Sequence, residues 1–174
     1  MRISKRFFPD YKFNSINDID INILKNREIK FAILDIDNTL VPYTSPKPDD
    51  NAISFLKKLK ENNIEYCFVS NNHKSRINLF NEEIGAQVYP NAAKPLLWGI
   101  KRAMKAFGAE KNNTVIIGDQ VFTDVWGGKR AGVLTILVDP IKECDTAFFK
   151  FKRHFEKKIV RDFESTQNSN KDNL

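Results

Sequence analysis

Short continuous apolar runs alternate along the chain with longer stretches in which apolar positions recur every three or four residues. Phe-Ala-Ile-Leu from Phe31, Tyr-Cys-Phe-Val from Tyr66, Val-Ile-Ile from Val115 and Leu-Thr-Ile-Leu-Val from Leu134 belong to the first kind. Unbroken runs of this length read as strands buried on both faces, whereas a half-exposed strand would alternate. With a shorter run at Gln87, the pattern predicts five strands, at 31–35, 65–70, 87–89, 114–118 and 134–138. The intervening stretches predict helices at 49–62, 74–83, 95–107 and 121–131. The first helix carries Ile53, Leu56 and Leu59 at near-helical spacing, and Asp49 and Asp50 lie at its electropositive start. Strands alternating with helices through short connections predict an α/β fold, a five-stranded parallel sheet with helices on both faces.

The 174 residues suit a single domain, placed at 1–163, with a polar tail at 164–174 expected to be disordered. The segment 146–163 reads as a basic amphipathic terminal helix. Phe148, Phe151 or Lys152, Phe155, Ile159 and Phe163 recur near helical spacing, interleaved with the cations Lys150, Arg153, Lys157, Lys158 and Arg161. Two readings stay open: packing of the phenylalanines on the sheet, or peripheral contact with an anionic membrane. RNA or a ribosome surface would attract the same charge, and the net charge of +6 favours an anionic partner of some kind. No apolar run approaches the ~20 residues of a membrane span, and the basic start Met1-Arg-Ile-Ser-Lys-Arg has too short an apolar stretch for a signal peptide. A cytoplasmic protein is expected, peripheral at the inner membrane surface if the helix binds lipid. Cys67 and Cys144 have neither metal-ligand nor disulfide spacing, and Cys67 falls inside a predicted strand as a reduced core thiol.

The chemistry concentrates where predicted strands end. Asp35 and Asp37 close the first strand, with Thr39 behind them. In open α/β sheets ligands bind at the C-terminal strand ends, and two carboxylates there suit a hard cation and a phosphoryl group. A calcium loop is excluded, because Leu40 and Pro46 stand where its glycine and bidentate glutamate would be needed. Ser70, followed by Asn71 and Asn72, ends the second strand. Lys94 precedes Pro95 at a predicted helix start, where a cation opposes the helix dipole; that local misfit argues for function. Asp119 and Asp124 follow the fourth strand. Gly127, Gly128, Ala131 and Gly132 read as small packing residues where a helix meets the sheet, since no G-x-x-x-x-G-K-[ST] string exists.

The strings D-I-D-N-T-L-V from Asp35, V-S-N-N from Val69, A-K-P from Ala93, G-D-Q-V-F-T-D from Gly118 and G-G-K-R-A-G from Gly127 together resemble the haloacid dehalogenase (HAD) superfamily. More closely, they resemble the YqeG family of HAD-IIIA phosphatases, from about Phe8 to about Phe163. The resemblance implies a three-layer, Rossmann-like fold and hydrolysis of phosphate monoesters with Mg²⁺ as cofactor. It makes Asp35 the nucleophile that forms an aspartyl-phosphate and Asp37 the acid and base. It makes Asp35, Asp37 (through its backbone carbonyl), Asp119 and Asp124 the metal site, and Thr39, Ser70, Asn71 and Lys94 the residues around the substrate phosphate. Relatives of the family include phosphatidylglycerophosphate phosphatases, so a phospholipid head group is one implied substrate. Only 41–48 separate the first motif from the next helix, and little more than one helix and one strand joins Ser70 to Lys94, so no cap domain is expected. The alternative is a protein of this fold that docks on RNA, ribosome or membrane through its basic segments, with catalysis secondary. The complete motif set favours the enzyme.

Overall fold

The computed structural model of the chain describes residues 5–142 and 147–171, with side chains except at 147–149 and 168–171. Cys144, Thr146 and the Phe148 side chain therefore lie outside the described residues.

All five expected strands are present, but the sheet has six. The strands are β1 (Tyr11–Phe13), β2 (Phe31–Leu34), β3 (Glu65–Val69), β4 (Gln87–Tyr89), β5 (Thr114–Gly118) and β6 (Leu134–Val138). They lie in the order β1-β6-β5-β2-β3-β4, every neighbouring pair parallel. β1 is the strand that the apolar pattern did not predict. Its three residues are too few to show a period, and it is held from outside: the Asp10 carboxylate before it accepts from Thr135 N at 2.8 Å and from Lys129 Nζ at 2.5 Å.

Chain order reverses beside β2. Its successors β3 and β4 extend the sheet on one side, and β5, β6 and β1 extend it on the other. A crevice opens at such a switch point, outside the C-terminal strand ends. Successive β2 side chains enter opposite layers, Ala32 and Leu34 packing with Phe55, Leu59, Phe68 and Phe80, and Phe31 and Ile33 with Val69, Ile100, Ala103 and Ile116. The central strand is thus buried on both faces, as its unbroken apolar run implied. Cys67 is buried in the second layer as a free thiol, and burial pushes its pKa up, which keeps it unreactive.

The helices are α1 (Ile21–Asn26), α2 (Asp50–Glu61), α3 (Lys74–Asn81), α4 (Trp98–Ala106), α5 (Trp126–Ala131) and α6 (Ala147–Lys171). Asp49 caps α2 by accepting from Ala52 N at 2.8 Å. Gly128 of the G-G-K-R-A-G string is a packing residue, since a Cβ there would come within 2.4 Å of Ile116 Cγ2 and 2.5 Å of Thr135 Cγ2, whereas Gly132 ends α5 in a left-handed conformation at φ +78°. Two helix boundaries differ from expectation. α4 begins at Trp98 rather than at Pro95, so Lys94 sits in a turn. The helix expected over 121–131 opens as a π-turn, Val121–Val125, before α5.

α6 runs to Lys171, through most of the tail expected to be disordered. It packs against the fold through Glu156, Ile159 and Phe163, which are buried, alongside Val121, Val125 and Leu137. Phe151 and Phe155 face outward, 66% and 46% exposed. The apolar stripe read from the sequence is therefore divided between packing and surface. No cap domain is present among the described residues, and none of their helices is long and apolar enough to cross a membrane.

Candidate active site

β2, β3 and β5 end side by side, which brings Asp35, Ser70 and Asp119 to one rim. Asp35 continues the ladder by donating its N–H to Ile117 O at 3.0 Å. The chain then turns tightly, with Ile36 O accepting from Thr39 N at 3.2 Å and Leu40 N at 2.9 Å. Asn38 takes φ +63°, a left-handed conformation that asparagine tolerates better than most residues. This turn aims Thr39 inward, where its Oγ1 lies 3.4 Å from both Asp35 Oδ2 and Asp119 Oδ1. Thr39 thus braces two carboxylates.

Lys94 is buried between two acids, its Nζ donating to Asp35 Oδ1 at 2.7 Å and to Asp124 Oδ1 at 2.6 Å. Its backbone is gripped by Asn71, whose Oδ1 accepts from Lys94 N at 2.6 Å and whose Nδ2 donates to Lys94 O at 3.0 Å. That grip explains the turn at Lys94. It also engages both polar atoms of the Asn71 carboxamide, expected beside the substrate phosphate, although Asn71 lines the cavity as well. Ser70 is buried, and its Oγ accepts from Asn72 N at 3.1 Å.

Asp124 reaches the site through the π-turn, a feature frequent at functional sites. Its Oδ2 accepts from Gln120 N at 3.2 Å and from Thr123 Oγ1 at 3.1 Å. Gly118 makes room for it, since a Cβ there would come within 2.3 Å of Asp124 Cγ. Gly118→Ala therefore has to displace Asp124 and break its bond to Lys94. Overpacking of this kind costs about 1–3 kcal/mol, on the order of 5 °C in Tm for a chain of this size. A thermal melt and a turnover assay check this, and the activity should fall further than the stability.

Oxygens of Asp35, Asp119 and Asp124 lie within 4.8 Å of one another, all three residues buried. An all-oxygen, multiply anionic set suits a hard divalent cation. The Asp37 carboxylate, whose backbone carbonyl rather than side chain is the expected ligand, lies outside this cluster. It accepts from Arg76 Nη2 at 2.9 Å and from Asn72 Nδ2 at 3.0 Å. Crowding marks the electrostatics of the triad. Burial, then the neighbouring carboxylates, outweigh the pull of Lys94 and push Asp35 from 3.8 up to about 7. Burial and Asp124 likewise push Asp119 up to about 6, against the opposing Arg153. Burial disfavours the Lys94 ammonium, yet Asp124 and Asp35 together raise its pKa and hold it charged.

The rim opens onto a cavity of about 730 Å³ lined by Asp35, Asp37, Ser70 and Lys94 and by Phe122, Trp126 and Lys152. Arg76, Asn72 and Arg153 were not legible as site residues. Arg153 read as one of the cations of the terminal helix, left to solvent or to an anionic surface, whereas its guanidinium is paired with Asp119. The available signal was Glu156 three residues on, with Lys152, Ile159, Val160 and Phe163 completing a single inward face.

A family model for haloacid dehalogenase-like hydrolases matches residues 40–132. The chain is 37% identical over 158 residues to the probable phosphatase YqeG of Bacillus subtilis, covering 91% of this chain and 92% of that one. It is 27% identical over 149 residues to the chloroplastic and mitochondrial phosphatidylglycerophosphate phosphatase 1 of Arabidopsis thaliana, covering 80% of this chain but only 43% of that longer protein. In three dimensions it resembles the D,D-heptose 1,7-bisphosphate phosphatase of B. bronchiseptica, crystallised with magnesium and phosphate. That likeness has a TM-score of 0.53 at 14% identity, over 63% of this chain and 80% of that one, and shows the shared fold. The chain therefore belongs to the haloacid dehalogenase-like hydrolases, in the family of the phosphatase YqeG.

Proposed function

We propose that this phosphatase is Mg²⁺-dependent, uses Asp35 as its nucleophile and acts on a large, exposed phosphate monoester. The observation that carries the reading is the buried Lys94 bridging Asp35 and Asp124 in the wall of a cavity that no cap covers among the described residues. Lys94 holds one Asp35 oxygen at 2.7 Å and fixes the direction of the carboxylate. An Asp35 oxygen bonds to phosphorus while the ester P–O bond breaks, and the leaving alkoxide takes a proton from Asp37. Water then attacks phosphorus, gives its proton to Asp37, and the bond to Asp35 breaks to release inorganic phosphate. Asp37 lines the cavity, but Arg76 and Asn72 hold both of its oxygens, so each proton transfer requires that pair to loosen. The Ser70 hydroxyl and the Lys94 ammonium face the phosphoryl oxygens, where fixed donors stabilise developing charge. Asp35, Asp119 and Asp124, with the Asp37 carbonyl, would hold Mg²⁺, which when bound supplies charge neutralisation of the phosphoryl group.

An uncovered cleft admits a lipid head group without excluding soluble esters. Phosphatidylglycerophosphate is the first substrate to test, given the relative that carries that name. The exposed Phe151 and Phe155, whose rings lie 5.0 Å apart, would offer an apolar contact to a bilayer, which supports the reading of a protein peripheral at an inner membrane surface. The test is a hydrolysis panel with and without EDTA, spanning that lipid in vesicles, nucleotides, sugar phosphates and phosphopeptides. Turnover of the lipid but of none of the soluble esters supports the membrane assignment. Turnover undiminished by EDTA refutes the metal.

A second measurement follows the metal without turnover. In the cation-free protein the raised values of Asp35, about 7, and Asp119, about 6, mean that the folded state binds more protons than the unfolded chain above pH 3.8. Their contribution to stability is thus fullest below 3.8 and is lost as pH rises through about 6 to 7. A cation that replaces those protons restores it. Mg²⁺ should raise Tm at pH 8 by several degrees and at pH 5 by much less, measured by scanning calorimetry.

A further inference from the structure

The loop from Asp119 to Asp124 supplies two of the three carboxylates, and its brace comes from the far end of the chain. Arg153 of α6 places Nη1 2.6 Å from Asp119 O, and its Nη2 pairs with Asp119 Oδ2. The same Nη1 lies 3.2 Å from Glu156 Oε2, and Glu156 Oε1 accepts from Phe122 N at 3.1 Å. Lys152 adds a bond to Gln120 Oε1. The chain entering the π-segment is therefore tied to one face of α6 at three points, Asp119, Gln120 and Phe122. Arg153 and Glu156 lie outside the residues that the family model matches.

Three features separate this arrangement from an ordinary surface ion pair. Asp119 and Glu156 are 1% and 2% exposed, so neither carboxylate is screened by water. The guanidinium spans the side chain and the main chain of one residue, which fixes both the Asp119 rotamer and the peptide that carries it. It also takes Oδ2, leaving Oδ1 on the side of Thr39 and Asp35, where the acidic triad converges. Arg153 with Glu156 is formally neutral, so the pair can orient a ligand without the repulsion that a lone arginine would exert on a cation.

We propose that Arg153 is a positioning residue of the cation site, acting through Asp119 and itself held by Glu156, so that the terminal helix completes the site. The proposal rests on the reading of Asp35, Asp119 and Asp124 as cation ligands. Groups that orient a metal ligand typically contribute about 10–100-fold in affinity.

The test is Mg²⁺ binding to the full chain at pH 8 by isothermal titration calorimetry, alongside the melting curve of each cation-free protein. Arg153→Met should weaken Mg²⁺ binding by about 10–100-fold. A purely electrostatic account predicts the opposite sign, because deleting a positive charge beside the site would tighten it. Arg153→Lys keeps that charge and protects the fold, but its shorter side chain lacks the planar two-nitrogen fork that spans the Asp119 carboxylate and carbonyl from this position, so its affinity should stay well below wild type. Glu156→Gln should weaken binding too, by freeing Arg153 and leaving its charge uncompensated. Unchanged or tighter binding by Arg153→Met, or full recovery in Arg153→Lys, overturns the positioning role. Absence of Mg²⁺ binding by the wild type overturns the metal reading and this proposal with it, a result distinct from wild-type binding that the Arg153 variants retain.

Discussion

Asp35→Asn is expected to abolish phosphate release while leaving a folded protein, if Asp35 is the nucleophile as proposed. The amide is a poor nucleophile and a weaker cation ligand, and loss of a nucleophile of this kind costs about 10⁴-fold or more in turnover. Its effect on stability runs the other way. Burial and the neighbouring acids push Asp35 up to about 7, so in the cation-free protein its charged form is held at a cost at pH 8 despite Lys94. Asparagine removes that cost at nearly constant volume, and Tm of the cation-free variant at pH 8 should equal or exceed that of wild type. The same substitution also removes most of the Mg²⁺-induced rise in Tm. Phosphate release undiminished in Asp35→Asn would refute the nucleophile, and a collapsed melting transition would make Asp35 a structural residue.

Lys94→Met is expected to be damaging on both counts. Methionine keeps much of the apolar stem but deletes the charge that holds Asp35 and Asp124, at 2.7 and 2.6 Å. Removing one partner of a buried pair leaves uncompensated charge and typically costs about 3–5 kcal/mol. Removing a preorganised donor from a phosphoryl site costs about 10²–10³-fold in rate. The two effects separate by pH and metal. Mg²⁺ takes over part of the neutralisation, so added cation should recover much of the lost stability and little of the lost rate. Melting curves and single-turnover rates with and without Mg²⁺ check this. A variant within about threefold of wild type would place Lys94 outside the chemistry.

The two layers of the core were legible in the sequence because burial leaves a local signature. Ile33 and Leu34 belong to different layers, and only an unbroken apolar run serves a strand covered on both sides. Asp35, Ser70, Lys94 and Asp119 were legible for a related reason. In a parallel sheet every strand ends at the same rim, so residues just past strand ends converge whatever their distance along the chain. Short or non-periodic features were not legible. β1 has three residues and no period, and it exists because Asp10 and β6 hold it. The π-turn that delivers Asp124 depends on the space left by Gly118, which no local propensity records. The start of α4 was misplaced because Asn71 captures the Lys94 backbone from 23 residues away.

The terminal helix shows the division most plainly. Its amphipathic period was local, and so was its positive charge. The role of each cation was not, because a side chain's partner is set by what the fold places opposite it. Arg153 and the exposed Phe155 are two residues apart on the same helix, yet one meets a buried aspartate and the other meets solvent. The sequence by itself determined the parallel α/β sheet, its two cores and the residues at its C-terminal rim, since these follow from period and strand order. Only the tertiary structure decided that Asn71 serves Lys94, that Arg76 and Asn72 hold Asp37, and that α6 closes on Asp119. Those pairings are made across the crevice between chain-distant elements, where local pattern carries no information about the partner.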